Sequence, residues 1–278
     1  MIAKIITDHR IEVYDLSQFD IKAILHSGQV FRYQQTDQGY LLYAGNHWAV
    51  VVVKDATAVI TCDNASFFFD YFDLVTDYNV IKQALAWPYL QNAIQVGGGI
   101  RILRGDFVEI VISFIISANN NIKRFSQTLA ALCEQYGTPL QGEDGKPTNN
   151  AYAFPTLEQL SRLTVADFHR LGCGYRDQYL VQTIRQLANM DYADLSTLPT
   201  ETLRQKLLTL AGVGPKVAAC IMLFAFRRYE VVPVDTWIKK ALAQLTTAQQ
   251  TALWQSPYAG VAQQFMFYAL QHLHTNLS

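Results

Sequence analysis

The chain has 278 residues, 50% of them hydrophobic, which is enough for one large domain or two with an ample core. Its formal net charge of −1 excludes an overall basic field, so any contact with nucleic acid must be local and rest partly on backbone N–H groups. The four cysteines have neither CxxC nor metal-ligand spacing, which favours a reducing compartment; they are Cys62, Cys133, Cys173 and Cys220.

Neither a signal peptide nor a membrane anchor is predicted. Residues 1–15 lack the apolar core of a secretory signal. The longest apolar run, residues 107–118, contains Glu109 and is too short to span a bilayer. We therefore expect a soluble, cytoplasmic protein, associated with the nucleoid if it is bacterial.

The amino-terminal part is predicted to form an antiparallel sheet. Short β-type segments alternate with turn residues, and the predicted strands cover residues 29–33, 39–45, 48–53 and 58–62. Aromatic-rich helical spacing follows from Phe67 to Val96 and ends at three consecutive glycines, Gly97 to Gly99. The predicted fold class is α+β, with an N-terminal antiparallel β-sheet domain with helices in residues 1–97 and an all-helical domain in residues 98–278.

The second part reads as helices joined by short loops. Helices are predicted from Ile110 to Ala118 and from Ile122 to Gln135, with Asn121 as the N-cap of the second. Residues 137–154 are rich in Pro, Gly, Asn and Asp, which predicts a long surface loop.

The most informative segment is a predicted helical hairpin. A helix from Glu201 to Leu210 stops at Ala211-Gly212-Val213-Gly214, and Pro215 suits the first turn of the next helix. The two glycines allow a close approach of the backbone, and the N–H groups of the new helix point to the same place, so a phosphate is the natural occupant.

A lysine and an aspartate accompany this hairpin. Lys216 lies in the first turn of the second helix, where the macrodipole opposes an ammonium and favours a neutral, nucleophilic amine. Cys220 is four residues on and shares its face, and Asp235 follows an extended run and opens another helix. Taken singly, these residues also fit a solvated lysine, a core cysteine and an N-cap.

Taken together, the pattern is specific. The chain reads L-x-G-V-G-x-K-V-A-x-C, and P-V-D places Asp235 nineteen positions after Lys216 (235 − 216). This pattern resembles the helix-hairpin-helix glycosylases that end in a Gly/Pro-rich loop and an aspartate, and most of all the 8-oxoguanine DNA glycosylase/lyases. The resemblance extends from about Leu25 to Leu270.

The resemblance implies a pocket for an extruded base. In the S-G-Q-x-F-R turn at residues 27–32, the Gly28 carbonyl would approach N7 of the damaged base, which carries a hydrogen there, whereas guanine presents an acceptor. Gln263 would read the Watson–Crick edge, and Cys220 and Phe267 would form the two faces of a slot about one base thick.

The resemblance also implies a set of residues that contact the duplex. Asn119 and Arg124 would fill the hole left by the base and touch the orphaned cytosine, while Tyr175 would wedge between base pairs. The turn before it is expected to present Tyr175 and Arg176 outward, with the Arg176 guanidinium on a base edge. The hairpin residues Gly212, Val213 and Gly214 would bind the DNA backbone.

The implied reaction assigns Lys216 as the nucleophile that forms a Schiff base and Asp235 as the ionised group that stabilises charge at the sugar. No cofactor or metal is implied for the chemistry, although hairpin carbonyls around Gly212 and Gly214 could hold a monovalent cation. The implied partner is double-stranded DNA with an oxidised purine, bound by a monomer.

The chain departs from the family pattern at four positions. Trp237 stands where animal relatives have a histidine, and Leu270 where they have an aspartate. Ala211 stands where the hairpin usually has a proline, and Ala118 where the family commonly has a serine. Two other functions stay open: a non-catalytic hairpin module that binds DNA, and a monofunctional alkylbase glycosylase, which would have no use for Lys216.

Overall fold

A computed structural model of the chain describes residues 2–118, 120–141 and 147–275. The predicted α+β class is confirmed, because an antiparallel sheet near the amino end precedes a mostly helical part. Six strands form that sheet in the spatial order β1-β2-β6-β5-β4-β3, and they are β1 (Ala3–Thr7), β2 (Arg10–Val13), β3 (Tyr33–Gln35), β4 (Tyr40–Ala44), β5 (His47–Lys54) and β6 (Thr57–Cys62).

Fifteen α-helices lie in the described parts of the chain. They are α1 (Ile21–His26), α2 (Ala65–Tyr71), α3 (Tyr78–Ala84), α4 (Gln91–Gly97), α5 (Phe107–Ser117), α6 (Ile122–Tyr136), α7 (Leu157–Ser161), α8 (Val165–Arg170), α9 (Asp177–Leu187), α10 (Tyr192–Thr197), α11 (Thr200–Leu208), α12 (Pro215–Phe226), α13 (Thr236–Leu242), α14 (Thr247–Gln255) and α15 (Ala259–Thr275). Within these parts, none of the helices combines the length and apolar content that a bilayer crossing needs.

The prediction of a strand at residues 29–33 is wrong, because β3 begins only at Tyr33. Gln29 explains the difference. Its side chain donates to the Ser27 hydroxyl and the Arg101 carbonyl, both at 2.8 Å, and accepts from the Leu103 N–H at 2.9 Å. A buried side chain that bonds backbone in this way fixes a turn rather than a strand.

The chain folds into two compact units that do not follow its order. The first unit comprises Met1–Leu41, Ala49–Arg104 and Arg227–Ser278, and the second comprises Leu42–Trp48 and Gly105–Phe226. We predict two domains that follow one another along the chain, with a boundary after Gly97. The compact units are built from several segments instead, so this boundary stays a prediction.

The first unit packs α15 against α4. A Cβ at Gly97 would lie 3.3 Å from the Phe265 Cα, so the glycine allows this close approach of helices. Arg101 is fully buried and its guanidinium donates to four backbone carbonyls, those of Gln18, Phe72, Asp73 and Thr76. The charge is therefore satisfied by backbone dipoles inside the unit.

The second unit packs α5 against α12. Phe114 of α5 and Phe224 of α12 stack with ring centroids 5.6 Å apart. The predicted N-cap of α6 is confirmed, because the Asn121 side chain accepts from the Arg124 N–H at 2.8 Å. These helices form the framework on which the hairpin is placed.

Residues 137–154 are not the long loop that their composition predicts. Two short antiparallel strands, β7 (Pro139–Gln141) and β8 (Pro147–Tyr152), form a ribbon there, while residues 142–146 lie outside the described parts. The Trp48 indole N–H donates to the Gln141 carbonyl at 2.8 Å. A contact with a distant segment, which composition does not reveal, thus helps to hold β7.

Candidate active site

The second unit contains the predicted hairpin. Helix α11 ends at Leu208 and α12 begins at Pro215, so residues 209–214 form the connection. Gly212 has φ +75°, and the Val213 N–H closes the turn on the Leu210 carbonyl at 3.1 Å. Among the described residues, the N–H groups of Gly212 and Gly214 have no acceptor. They are therefore available to an anion at this end of α12.

The hairpin requires a glycine at one of its two positions far more than at the other. A Cβ on Gly212 would lie 2.9 Å from the Tyr179 Cβ, whereas a Cβ on Gly214 would meet no atom within 4 Å. Gly212 also has a positive φ, which L-residues adopt at a cost.

We therefore expect Gly212→Ala to lower the free energy of unfolding by about 2 kcal/mol or more, through the strained φ and the contact with Tyr179. The matched variant Gly214→Ala should stay within about 0.5 kcal/mol of the original or gain slightly. Urea denaturation of the three proteins measures both values. Equal losses in the two variants would contradict this account of the turn.

Lys216 lies in the first turn of α12, as predicted, and its side chain is half-buried. Its Nζ lies 5.1 Å from the centroid of the Phe114 ring, within the range of a cation–π contact. No carboxylate pairs with it among the residues that the structure describes. Cys220, one turn further on, is only 2% exposed. The amine thus lies against an aromatic ring, and no acidic side chain in the described parts of the chain holds it in an ion pair.

An open cavity of about 300 Å³ faces this amine. Its lining includes Ile115, Tyr175, Tyr179, Gly212, Gly214 and Lys216. The hairpin glycines, the amine and the predicted wedge therefore share one opening within the second unit. Such a concave site with few polar groups is where ligand binding is expected.

Tyr175 is exposed as predicted, at 59%, and forms an edge-to-face pair with Tyr179, ring centroids 6.4 Å apart. The expectation that Arg176 also points outward is wrong, since only 6% of this residue is exposed. Its guanidinium donates to the Ala118 carbonyl, with Nε at 2.7 Å, and to the Cys173 carbonyl at 3.1 Å. One local carbonyl, that of Cys173, and one from a distant segment, that of Ala118, hold the arginine inward, and its role in DNA binding stays a prediction.

Arg124 is exposed, and its Nη2 donates to the Gly172 carbonyl at 3.2 Å. Arg124 and Arg176 therefore connect the segment after α5 to the turn that carries Tyr175. Asn119 lies outside the described residues, so its predicted contact with the orphaned cytosine stays a prediction.

Asp235 belongs to the first unit and caps α13. Its Oδ1 accepts from the Ile238 N–H at 2.8 Å, so the N-cap interpretation is confirmed. The second carboxylate oxygen has no partner among the described residues. A cap of this kind fixes the direction of the carboxylate, which suits a group that must act on a positioned substrate.

The predicted base-reading residues of the first unit surround Phe267. A Cβ on Gly28, whose φ is +78°, would lie 3.1 Å from the Phe267 Cε1, so the turn and the ring are in close contact. Gln263 is 3% exposed, and its Oε1 accepts from the Gln264 Nε2 at 2.9 Å. Cys220 belongs to the second unit, so the slot between Cys220 and Phe267 stays a prediction.

His26 lies two residues before Gly28. Desolvation lowers the pKa of its imidazole and the nearby Lys22 lowers it further, while Asp20 raises it.

The fit of a cation to the hairpin is limited. The Leu210 carbonyl accepts from the Val213 N–H and the Gly214 carbonyl from the Ala218 N–H at 2.9 Å. A second lone pair remains on each oxygen, so a monovalent ion stays a prediction. In the described ranges, no group of three or more His, Cys, Asp or Glu side chains could hold a metal ion.

Two residues of the site were not singled out from the sequence. Phe114 looked like one more apolar residue of a buried helix, yet it supports the amine of Lys216. Tyr179 lies four residues after Tyr175 and is 44% exposed. Its spacing from the predicted wedge could have indicated the pair.

Two helices joined by a glycine turn, with a lysine in the first turn after it, define a helix-hairpin-helix protein. Comparison with known families agrees with this class. Residues 13–111 match the family "8-oxoguanine DNA glycosylase, N-terminal domain", and residues 112–255 match "HhH-GPD superfamily base excision DNA repair protein". The chain belongs to the 8-oxoguanine DNA glycosylase/lyase family of the HhH-GPD superfamily.

Individual relatives point the same way. A crystal structure of the 8-oxoguanine glycosylase/lyase of Clostridium acetobutylicum, in complex with dsDNA containing cytosine opposite 8-oxoG, is 32% identical, with a TM-score of 0.88 over 99% of this chain and 100% of that one. The "N-glycosylase/DNA lyase" of Saccharomyces cerevisiae is 37% identical over 51% of this chain and 40% of its own length. The "N-glycosylase/DNA lyase OGG1" of Arabidopsis thaliana is 36% identical over 50% and 39%. The chain thus spans about two fifths of the length of these two curated relatives.

Proposed function

We propose that the chain is a bifunctional base-excision-repair enzyme that removes 8-oxoguanine from duplex DNA and then cuts the strand by β-elimination through a Schiff base on Lys216. The observation that carries this proposal is the Lys216 amine, which lines a cavity shared with the hairpin and Tyr175 and pairs with no carboxylate among the described residues. An amine that lines the same cavity as the Gly212 and Gly214 N–H donors suits attack on a sugar whose phosphates those donors bind.

The first step is extrusion of the damaged base, because C1′ is inaccessible while the base is stacked. Tyr175, exposed at the rim of the cavity, would wedge into the stack, with Asn119, Arg124 and Arg176 at the vacated position. The N–H groups of Gly212 and Gly214 would hold a backbone phosphate during this step.

The second step is base release. Lys216 Nζ attacks C1′ as the bond from C1′ to the base breaks, and the base leaves with the bonding electrons. Asp235, ionised, stabilises the positive charge that develops on the sugar and accepts a proton from the attached amine. The nitrogen then forms a double bond to C1′ as the bond from C1′ to O4′ breaks, and O4′ takes up the proton that Asp235 accepted. Loss of a C2′ proton from this imine breaks the bond from C3′ to its oxygen, so the phosphate leaves and the strand is cut 3′ to the lesion.

Two other functions remain to be separated from this one. A non-catalytic hairpin module would need the glycine turn but not Lys216, and a monofunctional alkylbase glycosylase would need Asp235 but no nucleophilic amine. The family membership favours the bifunctional enzyme, since the relatives from yeast and Arabidopsis are named for glycosylase and lyase activity together. The proposal includes action as a monomer in the cytoplasm or nucleoid.

The test is incubation of the protein with four duplexes that carry 8-oxoguanine opposite each of the four bases, with and without borohydride. We expect base release and strand cleavage on the duplex with cytosine, and a covalent protein–DNA band when borohydride is present. An undamaged duplex is the control. Binding without release would favour the hairpin module, and release without a covalent band would favour the monofunctional enzyme.

A further inference from the structure

One face of α9 supports the hairpin. Tyr179, Thr183 and Gln186 have the spacing i, i+4 and i+7, which places them in one stripe along the helix. Each contacts the residues between α11 and α12. Tyr179 packs against Gly212, so closely that a Cβ there would lie 2.9 Å from the Tyr179 Cβ.

The other two side chains bind the first half of the hairpin through hydrogen bonds. The Gln186 Oε1 accepts from the Ala211 N–H at 2.9 Å, and its Nε2 donates to the Thr209 carbonyl, also at 2.9 Å. The Thr183 hydroxyl donates to the Ala211 carbonyl. Both the N–H and the carbonyl of Ala211 are therefore hydrogen-bonded to side chains of α9.

These bonds contrast with the second half of the turn. The N–H groups of Gly212 and Gly214 have no acceptor among the described residues. The hydrogen bonds from Thr183 and Gln186, which together form a clamp on the hairpin, therefore hold the chain just before these two donors. A side chain that bonds two backbone groups at once fixes both position and direction. Preorganised donors bind an anion more tightly than donors that must first be ordered.

Helix α9 also follows directly on the short helical turn Gly174–Arg176, which carries Tyr175. One rigid element therefore connects the predicted wedge with the hairpin. This arrangement sets the distance between a group that enters the base stack and a group that binds a phosphate.

We propose that Gln186 and Thr183 are positioning residues for DNA binding, which clamp the hairpin to α9 and so hold the Gly212 and Gly214 donors at a fixed distance from Tyr175. The inference rests on the proposed function, because it assigns the clamped donors to DNA. The clamp acts on binding rather than on chemistry, since neither side chain lines the cavity that faces Lys216.

The experiment compares Gln186→Met, Thr183→Val and the unchanged protein. Met keeps the length of the side chain and removes both hydrogen-bonding groups, and Val replaces a buried hydroxyl by a methyl group of similar size. Gln182→Met is the matched control, because Gln182 lies one turn earlier on α9 and is exposed.

Two quantities separate positioning from a purely structural role. The first is the Kd for a duplex with a tetrahydrofuran abasic site, which cannot form a Schiff base. The second is the single-turnover rate of borohydride trapping on a natural abasic duplex at saturating protein. We expect Gln186→Met and Thr183→Val to raise Kd about tenfold, as loss of a positioning hydrogen bond would. The saturated rate should stay within about twofold, and Gln182→Met should behave as the unchanged protein.

A Kd within twofold of the unchanged protein in both variants would overturn the proposal, whatever happens to the melting temperature. A Kd that rises equally in Gln182→Met would overturn it too, because the effect would then belong to the helix surface. Failure of the unchanged protein to be trapped on the abasic duplex would instead count against the proposed lyase activity, which distinguishes the two ideas.

Discussion

Lys216→Gln is expected to abolish the covalent band that borohydride traps on a duplex with 8-oxoguanine opposite cytosine. Glutamine keeps most of the length of the side chain but has no amine, so neither attack on C1′ nor an imine can follow. We expect strand cleavage to fall about a thousandfold or more, which is typical for loss of a covalent nucleophile. Gel electrophoresis after reduction measures both effects.

The binding of the variant should change little. Because the Gly212 and Gly214 donors and Tyr175 are untouched, the Kd for a duplex with a tetrahydrofuran site should stay within about threefold of that of the unchanged protein. Lys206→Gln is the matched control, since Lys206 is an exposed lysine of α11. A covalent band of normal intensity from Lys216→Gln would reject Lys216 as the nucleophile.

Asp235→Asn is expected to lower the rate of base release about a hundredfold to a thousandfold with little loss of stability. The structure allows this separation because the bond from Asp235 Oδ1 to the Ile238 N–H needs an oxygen and not a charge. Asparagine is as good an N-cap as aspartate, whereas it does not stabilise positive charge on a sugar. Single-turnover release of 8-oxoguanine measures the loss.

Asp235→Ala provides the comparison, since it removes the cap together with the charge. It should lower the free energy of unfolding by about 1 kcal/mol, which urea denaturation detects, and release the base as slowly as Asp235→Asn. Should Asp235→Asn release the base at the original rate, the carboxylate would be a helix cap and nothing more.

Local signals explain what could be predicted from the sequence. The hairpin is defined by Gly212, Gly214 and Pro215, whose backbone preferences act within a few residues, and the structure has the turn at this place. The caps Asn121 and Asp235 are equally local, because each bonds an N–H three residues on.

Tertiary contacts explain the errors. Arg176 follows a glycine turn that favours exposure, but the carbonyl of Ala118, 58 positions earlier in the chain, lies within reach and holds it inward. The β7–β8 ribbon and the turn at Gln29 likewise depend on partners far away in the chain. The segment Arg227–Ser278 packs in the first compact unit, although it is far from the rest of that unit in sequence. The hydrophobic periodicity of its helices does not indicate which unit it joins.

The residues that support Lys216 and the hairpin could not be predicted from local sequence patterns. Phe114 under Lys216 and the α9 clamp on Ala211 are ordinary residues for a helix, and only their placement beside the hairpin gives them a role. Ala211 is an example. Alanine has a backbone N–H that proline lacks, and in the structure this N–H donates to Gln186, a pairing that the sequence around Ala211 does not indicate.

The most direct measurement is mass spectrometry of the peptide that carries the adduct after borohydride reduction of the protein with a duplex containing 8-oxoguanine opposite cytosine. The account predicts that the reduced sugar is attached to the amine of Lys216, in the peptide that follows the glycine hairpin. Attachment at any other lysine or at the terminal amine, or base release with no attachment, would contradict it.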